Sequence, residues 1–297
     1  MNSSTVQNTP EINIDALLPQ EMAAKAETIG VRKAGLAFWP LFALSILAGA
    51  FIALGALFST TVAAGSAALP YGVARMLIGL SFSLGLILVV VGGAELFTGN
   101  NLIIMAWANR KVSTRALLRN WGIVYLGNLA GSLGTAVLVF LGKQYTLGGG
   151  AVGEAALKIA VGKVQLGFVQ AVALGILCNV LVCLAVWLTY SARSTTDKIL
   201  AIIFPISAFV AASFEHSVAN MYFIPYALLI QIFDPAFAAN AAAAGVNLTN
   251  LTIGNFLLVN LLPVTLGNLI GGAVLVAAMY WFIYLRPTRY RTPQNAK

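Results

Sequence analysis

The chain has 297 residues, of which 60% are hydrophobic and only 9% charged, with a mean hydropathy of +0.89. Soluble domains carry far more charge, so this composition places the chain in a membrane. Its net charge of +8 comes without a basic groove interleaved with aromatics, which sets nucleic-acid binding aside.

In chain order, residues 1–10 read as a polar tail and 11–30 alternate acidic and basic residues. Neither has the form of a cleaved signal peptide, so the first apolar stretch is expected to stay as an anchor. Pro19 opens an amphipathic helix with Met22, Ala26 and Ile29 on one face and Gly30 as its stop. This helix either lies on the membrane or caps a cytoplasmic opening, and with the tail it makes up residues 1–34. Six spans follow near 38–62, 76–97, 121–141, 164–190, 199–233 and 256–285, each long enough to cross about 30 Å of hydrocarbon. Residues 35–286 thus form one six-helix transmembrane domain, and 287–297 a second tail. Between spans, 109–113 is a basic loop, 147–153 a glycine-rich and mobile one, and 234–250 an alanine-rich one. Thirteen of the 17 Lys and Arg residues fall on one side, leaving Arg75, Lys143, Lys158 and Lys163 on the other. That bias puts both termini in the cytoplasm. Cys178 and Cys183 lie on different faces of the fourth span and read as small packing residues.

The second half repeats the first. NWGIVYLGNLAG at 120–131 matches NLLPVTLGNLIG at 260–271 in seven of twelve positions, Asn120/Asn260 and Asn128/Asn268 among them. Weaker echoes join ALSILAG from Ala43 to ALGILCN from Ala173, and ELFTGN from Glu95 to EHSVAN from Glu215. Each half (about 36–142 and 164–285) then holds three spans, so the second inserts upside down. Inverted repeats of this kind build transporters and channels around a site near the midplane. The GNLAG and GNLIG segments are small-residue contacts, expected where the third and sixth helices cross.

Ionisable residues inside apolar spans are costly and usually functional. Here they are Glu95, Glu215 and His216, the single histidine. Thr98, Gly99 and Asn100 are expected to break the second helix, and the segment around Ser213 and Ser217, with Asn220 beyond it, to break the fifth. Two half-helices would begin at mid-bilayer with their positive ends facing one cavity, an arrangement that suits an anion. The carboxylates of Glu95 and Glu215 are expected to accept hydrogen bonds from the half-helix amides and fix the breaks. His216, on the break itself, can donate a hydrogen bond or a proton near neutral pH. Asn179 either satisfies the core or lines the passage. Lys163, read as heading the fourth helix, either concentrates anions or snorkels.

At these residues the chain resembles the formate/nitrite transporter family, within it the formate channels. The segments that carry the likeness are SFSLGLILVVVGGAELFTGN (81–100), GILCNVLVCLAVWLTYSARSTTDK (175–198), FVAASFEHSVANM (209–221) and LLPVTLGNLIGG (261–272). The resemblance implies an all-α, aquaporin-like protomer with broken second and fifth helices, a homopentamer with one pore per protomer, and passage of formate and related small monovalent anions. It also implies a bacterial cytoplasmic-membrane location. Thr98 and His216 would meet in a central chamber bounded by Phe82, Leu86, Leu96, Phe97 and Phe209, and Asn179 and Lys163 also match pore positions. Gly99-Asn100 departs from the small hydroxylated residues that formate channels often carry there. No cofactor or metal is implied. A nitrite- or hydrosulfide-selective relative and a proton-coupled formate symporter share these motifs. An intramembrane enzyme would have to rest on Ser132 or Ser217, and a serine next in sequence to its histidine points to another helix face.

Overall fold

A computed structural model describes residues 16–286; the two tails at 1–10 and 287–297 lie outside the described residues. Among the described residues the chain is helical throughout: α1 (Pro19–Ala34), α2 (Phe38–Ala63), α3 (Tyr71–Gly92), α4 (Ile104–Ala108), α5 (Thr114–Leu141), α6 (Ala151–Val164), α7 (Phe168–Ser191), α8 (Thr195–Ala211), α9 (Ser217–Phe233), α10 (Pro235–Ala243) and α11 (Asn255–Leu285). Five of these, α2, α3, α5, α7 and α11, are long and apolar enough to cross a membrane. At 1.5 Å per residue even the 22 residues of α3 reach about 33 Å. The remaining crossing is made in pieces by α8 and α9, so the chain is an all-α polytopic protein of two inverted three-helix repeats with broken second and fifth helices.

The small-residue segments do their packing within each half. A Cβ on Gly131 would stand 2.0 Å from the Ile46 carbonyl of α2, and one on Gly271 would stand 2.3 Å from the Ile176 carbonyl of α7. So α5 lies against α2 and α11 against α7, each third helix on the first helix of its own repeat. The expected crossing of the third and sixth helices at these motifs is corrected accordingly. Between those two helices there is instead a Tyr125–Thr265 hydroxyl contact at 2.9 Å.

Several boundaries differ from the sequence reading, each for a local reason. Gly30 does not stop α1, which runs on to Ala34; it is buried where a Cβ would come 3.2 Å from Ala106. The apolar face of α1, Met22, Ala23 and Ala26, packs with Leu102, Met105, Cys183 and Trp187. The helix therefore docks on protein rather than lipid. Ser113 caps α5 seven residues ahead of the expected start, its hydroxyl accepting from Ala116 N–H. The fourth span is two helices, α6 and α7, parted at Gln165–Gly167, and Lys163 lies in the last turn of α6. The glycine-rich loop forms 3-10 turns in which Gly148, Gly149 and Gly150 all take positive φ. The alanine-rich loop contains α10, bent 104° from α9. Ser194 and Asp197 cap α8 reciprocally, and those hydrogen bonds, the Ser194 amide's above all, hold the exposed Asp197 carboxyl below its usual range. Much of α11 is wound in wide π turns, over Asn255–Leu261, Ile270–Ala278 and Trp281–Leu285.

Candidate functional site

Both breaks have the same construction, displaced by 120 residues. The first helix ends at Gly93 (φ 81) and the second at Ser213 (φ 58), both in the left-handed region. The amides that follow, Ala94 and Phe214, reach back to Val89 and Phe209. Glu95 and Glu215 then donate their amides to Leu44 and Leu174 of the first helix of each repeat. The first break thus precedes Glu95. Gly99 instead starts a 3-10 helix, Gly99–Ile103, where an added Cβ would make only an ordinary 3.6 Å contact.

The same set of partners, repeated in the two halves, holds each break open. The side-chain amide of Asn128 donates to Ser45 and Glu95 carbonyls (2.7 and 2.9 Å), and its oxygen accepts Phe97 N–H at 2.9 Å. Asn268 repeats the pattern with Gly175, Glu215 and Ser217 N–H. Around them, Lys33 Nζ lies 3.1 Å from the Glu95 carboxylate, and Asn100 donates to Glu95 and Asn120. On the other side Lys163 Nζ lies 2.8 Å from Glu215, and Asn220 donates to Glu215 and Asn260, both at 2.7 Å. Asn120 and Asn260 close the circuit on the Lys33 and Lys163 carbonyls. The carboxylates therefore take lysine and asparagine donors, and the expected hydrogen bonds from half-helix amides are not the ones formed. The break amides go to asparagines, which can accept without adding a buried charge.

These buried ion pairs predict a test of their own. Lys163→Met is expected to leave Glu215 uncompensated and to destabilise the protein by about 3–5 kcal/mol. The thermal midpoint in detergent should fall, and Glu215→Gln in the same chain should recover most of it. A midpoint equal to wild type in the single variant would remove the pair from the account.

Thr98 and His216 meet where the two breaks converge. His216 Nδ1 accepts the Ala219 N–H of α9 at 3.1 Å, and Nε2 lies 2.9 Å from Thr98 Oγ1. An Nδ1 that accepts leaves the proton on Nε2, so the histidine donates to the threonine. Thr98 then keeps its own hydroxyl hydrogen to donate elsewhere. Of the first three amides of α9, Ser217 goes to Asn268 and Ala219 to His216, leaving Val218's taken by neither side chain. The Thr98 carbonyl accepts from Cys183 Sγ (3.3 Å) and Asn179 Nδ2 (3.4 Å), and Asn179 also bonds Asn268 O at 2.6 Å. Asn179 is fully buried and ties α7 to both α11 and the first break.

A cavity of about 510 Å³ descends to this point from the α6 side, lined by Lys158, Lys163 and Arg75 at its walls and by Phe82, Phe209, Phe223 and His216 at its floor. Phe82 meets Phe209 edge-on with ring centroids 5.5 Å apart, and Phe209 stacks 6.0 Å from His216. Thr98, fully buried, sits behind this aromatic floor. Of the sequence-derived positions, the cavity thus gathers Lys163, Glu215, Phe82, Phe209 and His216. Leu86 and Leu96 are buried outside its lining, and Phe97 packs edge-on against Tyr125 at 4.9 Å. Sequence reasoning missed Lys33, the four asparagines of α5 and α11, Cys183 and Arg75. The asparagines had a signal, identity in both halves.

Among the described residues no group of His, Cys, Asp and Glu could hold a metal ion. Ser132 donates to backbone carbonyls of Gly49 and Val218, not to His216.

Comparison with known proteins places the chain in a family. The profile described as formate/nitrite transporter matches residues 20–282. The formate channel FocA of Escherichia coli K12 is 45% identical over 92% of this chain and 96% of its own. FocA of Haemophilus influenzae is 39% identical over 90% and 95%. A solved structure described as a pentameric formate channel with formate bound superposes with a TM-score of 0.78 at 45% identity, covering 84% of this chain and 98% of that one. A second, described as an FNT family ion channel, gives 0.75 at 29% identity, covering 89% and 98%. These relatives are named as channels and transporters, not enzymes. The chain belongs to the formate/nitrite transporter family.

Proposed function

We propose that the protein is a homopentameric channel for formate and related small monovalent anions in the bacterial cytoplasmic membrane, with both termini cytoplasmic and the 510 Å³ cavity opening outward. The observation that carries this reading is the Thr98–His216 contact at 2.9 Å, where two interrupted helices converge behind an aromatic floor. An anion needs donors, and this pair supplies them. His216 occupies the threonine's lone pair, which turns the Thr98 hydroxyl hydrogen toward an entering carboxylate. The positive end of α9 adds to that field.

The aromatic floor of Phe82 and Phe209 penalises a bare charge by desolvation. A small anion pays less than a large one only if its charge is met at once on the far side, which is the place Thr98 occupies. Leu86, Leu96 and Phe97 are assigned to the apolar surroundings of the chamber, and Asn179 to the support of Thr98. Glu95, Glu215, Asn100 and Asn220 hold the breaks in register, and Gly99 begins the first half-helix. His216 couples the passage to protons, because an imidazolium can share its proton with the bound anion.

Flux of formate, nitrite and hydrosulfide into proteoliposomes, measured side by side, tests the cargo. Formate is expected to pass fastest. A higher rate for nitrite or hydrosulfide would reassign the channel within the family.

A further inference from the structure

We propose that Arg75 is a capture site for small monocarboxylates at the cavity mouth, a station separate from Thr98–His216; it rests on the reading of the chain as a formate channel. Three cations line the cavity. Lys163 is neutralised by Glu215, and Lys158 pairs with Glu154 on its own helix. Among the described residues Arg75 has no carboxylate partner. Its Nε–H donates to the Ala211 carbonyl at 3.0 Å, and Nη2 donates to the Val210 carbonyl and to Ser213 Oγ, the latter at 2.8 Å. The excess positive charge of this wall is therefore Arg75's.

Those contacts fix the guanidinium without exhausting it. They engage Nε and Nη2 and leave both N–H groups of Nη1 for an added acceptor. A small carboxylate can place one oxygen on Nη1; both paired edges of the fork are taken, because each needs Nη2. The same contacts cover carbonyls at the C-terminal end of α8, which otherwise present negative partial charge to an arriving anion.

Position 75 and its counterpart in the second repeat differ. Ser213 takes a left-handed φ of 58, a conformation natural to glycine, and the Arg75 bond to its hydroxyl accompanies that choice. At the other break the corresponding residue is Gly93 (φ 81). The position 120 residues after Arg75 is Thr195, which carries no charge. Capture by Arg75 should therefore act on anions arriving from the cavity face and not on those from the other.

Oriented proteoliposomes test this directly. Arg75→Gln is expected to raise the half-saturating formate concentration on the cavity face about tenfold, with that of the opposite face little changed. Arg75→Lys, which keeps the charge and loses the anchored planar guanidinium, should fall between. Because the glutamine also releases Ser213, the substitution is repeated on Ser213→Gly, where glycine adopts the turn freely; the same one-sided rise is expected. An unchanged half-saturation in both backgrounds, or an equal rise from both faces, would overturn the proposal. Broadening of the carbon-13 formate line by solubilised protein reads binding without transport. Broadening that weakens with Arg75→Gln while wild type conducts no formate would sink the channel reading and keep the capture site. Broadening unaffected by the substitution would sink the capture site itself.

Discussion

Asn268→Leu is expected to abolish formate flux and to lower stability sharply. Its side chain serves three backbone groups: it donates to the Gly175 and Glu215 carbonyls and accepts Ser217 N–H, all within 2.9 Å. Leucine nearly matches the volume but removes every partner. A buried polar group left unpaired costs about 1–3 kcal/mol. Over the Glu215 carbonyl and the Ser217 N–H, that loss is a large share of the 5–15 kcal/mol by which domains are typically stable. Because Ser217 N–H is the first amide of α9, the half-helix would also lose its anchor and His216 its position. Asn128→Leu, the counterpart in the first repeat, should behave alike. Yield of folded protein and thermal midpoint in detergent are the measurements. A leucine variant that is as stable as wild type and still conducts would show that the asparagines fill space only.

How much of this was readable in advance depended on whether a signal was local. The repeats were legible because Asn120, Leu126, Gly127, Asn128 and Gly131 recur unchanged as Asn260, Leu266, Gly267, Asn268 and Gly271. Their use was only half legible. The glycines announced close packing, but not that it falls on α2 and α7, since small residues specify an approach distance and no partner. The asparagines carried no local sign of which carbonyls they bind. Lys33 was hidden among the basic residues of one side and proved to be the mirror of Lys163, each paired with the carboxylate of its own break. Gly92-Gly93 stands directly before Glu95's segment, yet a pair of glycines in a membrane helix is ordinary, so the turn was expected at Gly99 instead. The wide turns of α11 had no sequence signal in the apolar pattern. Thr98 and His216, 118 positions apart, could be brought together only by resemblance to a family.

The central claim concerns what that pair does. In the resting geometry His216 is neutral and its Nδ1 is occupied by Ala219 N–H. Protonation there must displace the amide, so in the proposed function the imidazolium forms only when an anion beside Thr98 repays the loss. Flux carried through such a state depends on proton supply and grows as pH falls. Phenylalanine at 216 would keep the ring and the stacking against Phe209, which lies 6.0 Å away, while removing both nitrogens. The Thr98 hydroxyl would then be free to rotate, and no proton could be passed.

The direct measurement is initial formate flux into proteoliposomes between about pH 5 and 8, for wild type and His216→Phe after subtraction of empty-liposome leak. Wild-type flux is expected to rise toward acid and His216→Phe flux to stay flat. Equal pH slopes in the two proteins would contradict that.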